Sequence, residues 1–284
     1  MAKPNLAVCV VDMNNGSTVP TRAVDDIVAR FIADVRREYP SLACDVVHAS
    51  PRSTTDLIPR TCELYIASGG PGSPDDACNA AWAEDFGSLL DGVIDSAQRG
   101  GSGRQALFAI CYSFELVVRH FGFARVAKRP MRKFGVAPVY PTFEGRHHPL
   151  FSAFGDRLFA LEYRSWEVVD LDETRLRQLG GTLLARESRD GASEGRGLLA
   201  FDVASGIEAV QFHPEADPCG VLHWITQQAW AATLEATYGR LAYAKMLRAI
   251  RDPLRLPHTY AKMLPGWLMR HFNLLAAARG WSRG

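Results

Sequence analysis

The chain has 284 residues, of which 47% are hydrophobic, 10% aromatic and 22% charged, with a formal net charge of +1. Its 24 glycines and 16 prolines exclude collagenous, low-complexity and disordered classes, and the near-neutral charge argues against a whole-surface polyanion binder. No apolar run approaches the ~18 residues that a membrane span needs, and the length suits one large domain, or one domain with an appendage, whose core needs no disulfide staples.

Leu6–Val11, closed by Asp12, is too short for a signal peptide and predicts a first buried strand. The six cysteines (Cys9, Cys44, Cys62, Cys78, Cys111, Cys219) are scattered without a C-x-x-C pair. That spacing speaks against a disulfide framework or a cysteine zinc site, and a reducing cytoplasm is the expected compartment. Between Val24 and Tyr39 the apolar residues Ile27, Val28, Phe31, Ile32 and Val35 recur at helical spacing. Cys44–Ala49 and Glu63–Ala67 predict further strands, and the second runs directly into Ser68-Gly69-Gly70-Pro71-Gly72. Pro74-Asp75-Asp76 suits a helix start, with acids at the positive end of the dipole, and the helix is expected to reach about Gln98. After a Gly100–Gly103 loop, Ala106–Ile110 is a fully apolar strand. Strand–helix alternation of this kind predicts an α/β fold with a mostly parallel sheet covered on both faces.

Beyond residue 123 the pattern becomes mixed. Val136–Tyr140, Leu158–Tyr163, Thr182–Arg186, Leu198–Val203 and Ile207–Phe212 are strand-like, with polar turns between them. Residues 220–284 show no strand signal and carry nine Lys/Arg against Glu235 and Asp252. They predict a basic helical extension to a domain spanning 1–219. One amphipathic helix is expected over Leu222–Leu234, a continuation over Tyr243–Ile250, and a last helix over Trp267–Ala278 once Pro253, Pro257 and Pro265 have broken the path. Such an extension either packs on the domain or docks an acidic partner, with Trp267 and Trp281 as candidate anchors. Dense Lys/Arg runs with interleaved aromatics, the mark of a nucleic-acid surface, are missing from it. His147-His148 reads as a loop pair before Pro149 rather than a metal pair.

Three segments carry chemistry. Ala106–Ile110 runs straight into Cys111, and an apolar helical stretch follows at once. A sharp strand-to-helix turn lifts the side chain at its tip clear of the sheet and aims helix N–H groups at it, which favours a thiolate nucleophile. The same segment also fits a buried structural cysteine. The strand Ile207–Phe212 ends in His213-Pro214-Glu215, where a carboxylate two residues beyond an imidazole can fix its tautomer and stabilise the imidazolium. The Gly69–Gly72 loop can turn backbone N–H groups into a cleft where an oxyanion develops, and it lacks the Gly-Lys-Ser/Thr of a P-loop.

In this order and spacing, Gly69-Gly70-Pro71-Gly72, then Cys111, then Gln211-Phe212-His213-Pro214-Glu215 resembles the class I (triad-type) glutamine amidotransferases, and in particular the glutaminase domain of GMP synthase-like proteins. The resemblance covers about residues 4–220. It implies a flavodoxin-like fold and acyl transfer through a thioester, with no metal or organic cofactor. Cys111 would be the nucleophile, His213 the acid–base and Glu215 the orienting carboxylate. The backbone N–H groups of Gly70 and Tyr112 would form the oxyanion hole. Gly69, Gly72, Glu115, Ser165 and Trp166 would line the substrate site, the last two because Tyr163-Arg164-Ser165-Trp166 falls where the family has a segment contacting glutamine.

The family's G-x-C-x-G-x-Q is Ala109-x-Cys111-x-Ser113-x-Glu115 here. An ionised Glu only accepts hydrogen bonds, so Glu115 favours a substrate with a cationic or donating group unless it points to solvent or pairs with an arginine. Two expectations follow. The first is hydrolysis or acyl transfer on a small-molecule amide, either glutamine serving a separate synthetase or a glutamyl or related amide. The second is a weakly active or inactive member acting as a binding or regulatory subunit, with the basic extension meeting a synthetase or an acidic carrier protein.

Overall fold

A computed structural model describes residues 5–16, 21–189 and 195–284. Strand β1 (Asn5–Val11) is followed by helix α1 (Thr21–Glu38), β2 (Ala43–Ala49) and β3 (Leu64–Ala67). A single 3₁₀ turn at Pro74–Ala77, capped by Ser73, precedes α2 (Ala81–Arg99), so the helix expected from Pro74 onward is two pieces. Next come β4 (Ala106–Ile110), α3 (Tyr112–Phe121), β5 (Arg125–Pro141) and the short α4 (Phe143–His147). β6 (Leu158–Val169), α5 (Glu173–Gln178), β7 (Thr182–Arg186), β8 (Leu198–Val203) and β9 (Ile207–Val210) complete the sheet. The chain ends in α6 (Pro218–Thr226), α7 (Gln228–Tyr238), α8 (Arg240–Arg251) and α9 (Leu256–Arg279).

The sheet has the order β2-β1-β3-β4-β9-β8-β6-β5-β7. From β2 to β9 every pairing is parallel. From β9 onward every pairing is antiparallel, and β7 also pairs with β8, closing β8, β6, β5 and β7 into a small barrel. The expected mostly parallel sheet is therefore corrected to a mixed one. The cause lies in the long β5–β6 hairpin, whose strands follow each other with no crossover helix long enough to bring them parallel.

Each face of the parallel half is buried. On one face α1 lays Val24, Ile27, Val28, Phe31, Ile32 and Val35 against the sheet together with α9. Trp267 of α9 meets Phe108 of β4 edge-on at 5.4 Å, and Phe272 packs against Phe31 and Tyr39. The other face takes α2 and α3. Each large apolar side chain buried in this way contributes roughly 1.5–3 kcal/mol, so α9 belongs to the sheet's own core.

The extension departs from its sequence expectation in two places. The helix expected over Leu222–Leu234 breaks at Gln227, between α6 and α7. Pro257 sits in the first turn of α9, where a missing N–H costs nothing, and Pro265 lies inside the helix rather than ending it. Burial of its neighbours Leu264, Trp267 and Leu268 holds the helix through that lost bond. The body of the protein also absorbs tail charge: Arg270 pairs with Glu208, Arg279 with Glu63 and Arg283 with Glu38. No helix among the described residues is long and apolar enough to cross a membrane.

Candidate active site

The site lies at the carboxyl ends of β3, β4 and β9, where an open α/β sheet leaves a crevice. Cys111 joins β4 to α3 with φ 51° and ψ −100°, a left-handed conformation that is costly for a residue with a Cβ. Its N–H donates to Val210 O at 2.8 Å, which ties the turn to β9. Ser113, in the following turn, donates its hydroxyl to Ser68 O at 2.7 Å, so the residue that replaces a glycine clamps α3 to the glycine loop.

That loop is packed too closely to carry side chains. A Cβ on Gly69 would lie 2.9 Å from His213 Cε1 and 3.4 Å from Cys111 Cβ, so the imidazole and the cysteine flank one point of backbone. A Cβ on Gly70 would fall 2.1 Å from Met13 O. Arg52 braces the loop from outside, donating to Met13 O and Pro71 O at 2.8 and 2.7 Å and stacking over the Tyr112 ring. Neither Gly70 N–H nor Tyr112 N–H has an acceptor among the described residues.

His213 follows β9 and donates its N–H to Leu161 O of β6 at 2.9 Å. Its Nδ1–H donates to Glu215 Oε1 at 2.8 Å, while Nε2 is buried without a hydrogen bond. Burial alone would lower the imidazole's pKa, but the charges of Glu215 and Cys111 outweigh it and hold the pKa well above the ordinary histidine value. The ring is therefore disposed to stay protonated.

Cys111, His213, Gly69, Gly70, Gly72, Tyr112, Glu115, Ser165 and Trp166 all line one cavity of about 350 Å³. Glu215 stands behind His213 rather than in the cavity wall. Glu115 neither reaches solvent nor pairs directly with an arginine: it is 3% exposed and accepts from Gln211 Nε2 at 3.0 Å. Burial pushes its pKa up to about 7, against the pull of the Gln211 hydrogen bond and the positive charges of Arg164 and His213. The hydroxyl of Ser165 accepts from Arg132 Nε at 3.3 Å, and the Trp166 carbonyl accepts from Arg164 Nη1 at 3.0 Å.

Four residues of this site have no role assigned from sequence, although Arg164 and Gln211 lie within the segments that carry the resemblance. Asn14, Arg132 and Arg164 line the cavity, and Gln211 joins Glu115 to the neighbourhood of Cys111 Sγ, 4.0 Å away. Their neighbours in sequence do not state what each side chain meets, and the topology brings all four to one place. The extension reaches the site too: Trp224 of α6 packs edge-on against Tyr163, another lining residue. His147 and His148 are drawn apart, as His147 closes α4 and bonds Phe143 O, while His148 faces Asp202 and Glu208. That corrects the loop reading of the pair, and no metal-ligating cluster occurs among the described residues.

No family model and no curated protein matches the sequence. Solved structures do. A glutamine amidotransferase from Thermotoga maritima aligns over 96% of this chain and 97% of its own, with a TM-score of 0.60 and 14% identity. A glutamine amidotransferase from Methylobacillus flagellatus covers 100% of this chain and 97% of its own, with a TM-score of 0.57 and 16% identity. The glutaminase domain of Trypanosoma brucei CTPS, with bound acivicin, gives 97% and 94% coverage, a TM-score of 0.58 and 13% identity. The chain thus has the fold of the glutamine amidotransferases, and the alignments run through the helical extension as well as the sheet.

Proposed function

We propose that the chain is a cysteine-dependent amidase of the glutamine amidotransferase type, acting on glutamine or a glutamyl or related amide. The observation that carries this reading is the strained Cys111 at the head of α3 beside an imidazole oriented by Glu215. The thiolate of Cys111 attacks the amide carbonyl and forms the C–S bond. The carbonyl oxygen takes up the negative charge between the N–H groups of Gly70 and Tyr112, and losing one such donor costs about 3 kcal/mol of barrier. As the C–N bond breaks, the His213 imidazolium gives its proton to the departing nitrogen, leaving a thioester. A water then attacks, His213 takes its proton, and the C–S bond breaks to release the carboxylate. The free second edge of the Glu115 carboxyl and the side chains of Ser165 and Trp166 supply contacts for the distal end of the substrate. No metal or organic cofactor enters this sequence of steps. Where ammonia is the product, its acceptor chemistry belongs to a separate synthetase, for which the cations of the helical extension offer a docking face.

The test is ammonia release from free glutamine and from a panel of γ-glutamyl amides. Activity that is abolished in Cys111→Ala supports the reading. Measurable binding of an amide by a protein that never turns it over would favour a regulatory subunit.

A further inference from the structure

One cation that lines the cavity has no anion of its own. Of the charged side chains there, Arg164 donates to Glu162, His213 donates to Glu215, and Glu115 accepts from Gln211. Arg132 pairs with no carboxylate among the described residues. Its Nε donates to Ser165 Oγ at 3.3 Å and its Nη1 to the Tyr163 hydroxyl at 3.2 Å, both neutral oxygens, while Nη2 has no partner among the described residues. Tyr163 and Ser165 line the same cavity, and the guanidinium lies over the Tyr163 ring, 5.2 Å from its centroid.

A break in the β5–β6 ladder puts Arg132 in this place. Lys128 stands opposite Trp166 and Lys133 opposite Arg164, so Arg129, Pro130, Met131 and Arg132 all face the single residue Ser165. Pro130 has no N–H to give to a ladder, which suits it to a bulge, and a bulge re-aims the side chains it carries. The helical extension braces the bulge from behind. The Tyr238 hydroxyl of α7 donates to Arg132 O at 3.5 Å. Trp224 of α6 packs edge-on against Tyr163 at 5.7 Å, and Phe134 does so at 5.5 Å.

Resting on the functional reading above, we propose that Arg132 is the specificity-determining residue of the cavity: it receives a carboxylate carried by the amide substrate, on a bulge that the helical extension holds in place. Where the leaving group is ammonia, that carboxylate belongs to the acyl half. A planar guanidinium presents paired N–H groups that match a carboxylate. Ser165 and Tyr163 fix its position without neutralising it, so less side-chain freedom is lost when the anion arrives. The one acidic side chain in the lining, Glu115, is answered by Gln211 and does not compete for it.

The experiment compares glutamine with the same molecule whose α-carboxylate is converted to an N-methylamide, by ammonia release in the wild type and in Arg132→Gln. Arg132 is exposed, so its substitution leaves the core alone. The wild type is expected to prefer glutamine in kcat/KM by about ten- to a hundredfold, the range of charge-assisted hydrogen bonds, with the preference carried by KM. Arg132→Gln loses that preference and Arg132→Lys recovers part of it. Tyr163→Phe, which keeps the ring and removes the acceptor of Nη1, loses part of it. Calorimetric binding of the same two molecules to Cys111→Ala, with and without Arg132→Gln, reads the preference without turnover. A preference of equal size with and without Arg132 overturns the proposal. So does a wild type that treats the two molecules alike, or a loss in Arg132→Gln confined to kcat. Carboxylate-dependent binding that is lost with Arg132, in a protein that never releases ammonia, refutes the functional reading and supports the role of Arg132. Ammonia release that needs Cys111 but is indifferent to the carboxylate does the reverse.

Discussion

His213 gives its Nδ1–H to Glu215 at 2.8 Å and keeps Nε2 buried without a partner, beside the sulfur of Cys111. The residue between them is Pro214, which restricts His213 to an extended backbone. The carboxylate therefore both orients the ring and holds its charge. Replacing Glu215 by Gln removes the charge and leaves the shape. The expected result is a fall in kcat of about a hundredfold or more, with KM little changed and near-neutral alkylation of Cys111 slowed. A steady-state comparison of the two proteins measures it.

Glu115 makes the stability of the protein depend on pH in an unusual direction. Its folded pKa of about 7 lies above the ordinary carboxylate value of 4.5, so between these limits the folded state binds more protons than the unfolded one. Its contribution to stability is complete below the lower limit and is lost as pH rises through the upper. Glu115→Gln lacks this penalty. The variant is expected to unfold at higher urea than the wild type at about pH 8, by the equivalent of roughly 1–3 kcal/mol, and to show no advantage at about pH 4.

The clasp between α9 and the sheet behaves oppositely. Glu208 of β9 accepts from Arg270 and lies 3.1 Å from His271 Nε2. Burial would raise its pKa, but His271, Arg270 and His148 bring it down to about 2. This contribution is present above pH 4.5 and is lost as pH falls toward the folded value. Glu208→Ala leaves two basic side chains buried without their partner, and a loss of about 3–5 kcal/mol is expected. Urea denaturation at neutral pH gives the number, and the difference from wild type should shrink in acid.

The helical extension supports the cavity through one aromatic contact and the fold through many. Trp224→Ala removes the ring that packs on Tyr163, and a raised KM with a nearly unchanged unfolding midpoint is expected. Truncation after Arg255 removes Trp267, Leu268 and Phe272 from the core. Circular dichroism of that shortened chain should show no cooperative melt.

The parallel half of the fold was legible in sequence because its central strands are short apolar runs between glycines or polar turns, as in Ala106–Ile110. The antiparallel half was legible in part as strands, without the charged first portion of β5 before Val136 or the end of β6 beyond Tyr163, and not in its direction of pairing, because direction is decided by connections and not by strand composition. Pro265 misled for a related reason, since helix propensity counts the lost bond and not the burial of Trp267 beside it. At the site, Cys111, His213 and Glu215 stand at strand ends, where sequence marks position well. Arg164 and Gln211 lie within the segments that carry the resemblance, but their partners Glu162 and Glu115 follow from how β6 and the end of β9 meet the crevice, which sequence does not state. The fate of Glu115, buried and held by a glutamine 96 positions later, likewise depends on tertiary packing.

The central claim is that Cys111 and His213 act together on an amide carbonyl. Its most direct measurement is covalent labelling by acivicin, an electrophilic glutamine analogue, at neutral pH, with the site read by peptide mass. One adduct per chain on Cys111, lost in Cys111→Ala and strongly slowed in His213→Ala, is the predicted result. Labelling spread over Cys78 and Cys219, or a Cys111 adduct that forms equally fast without the imidazole, would contradict it.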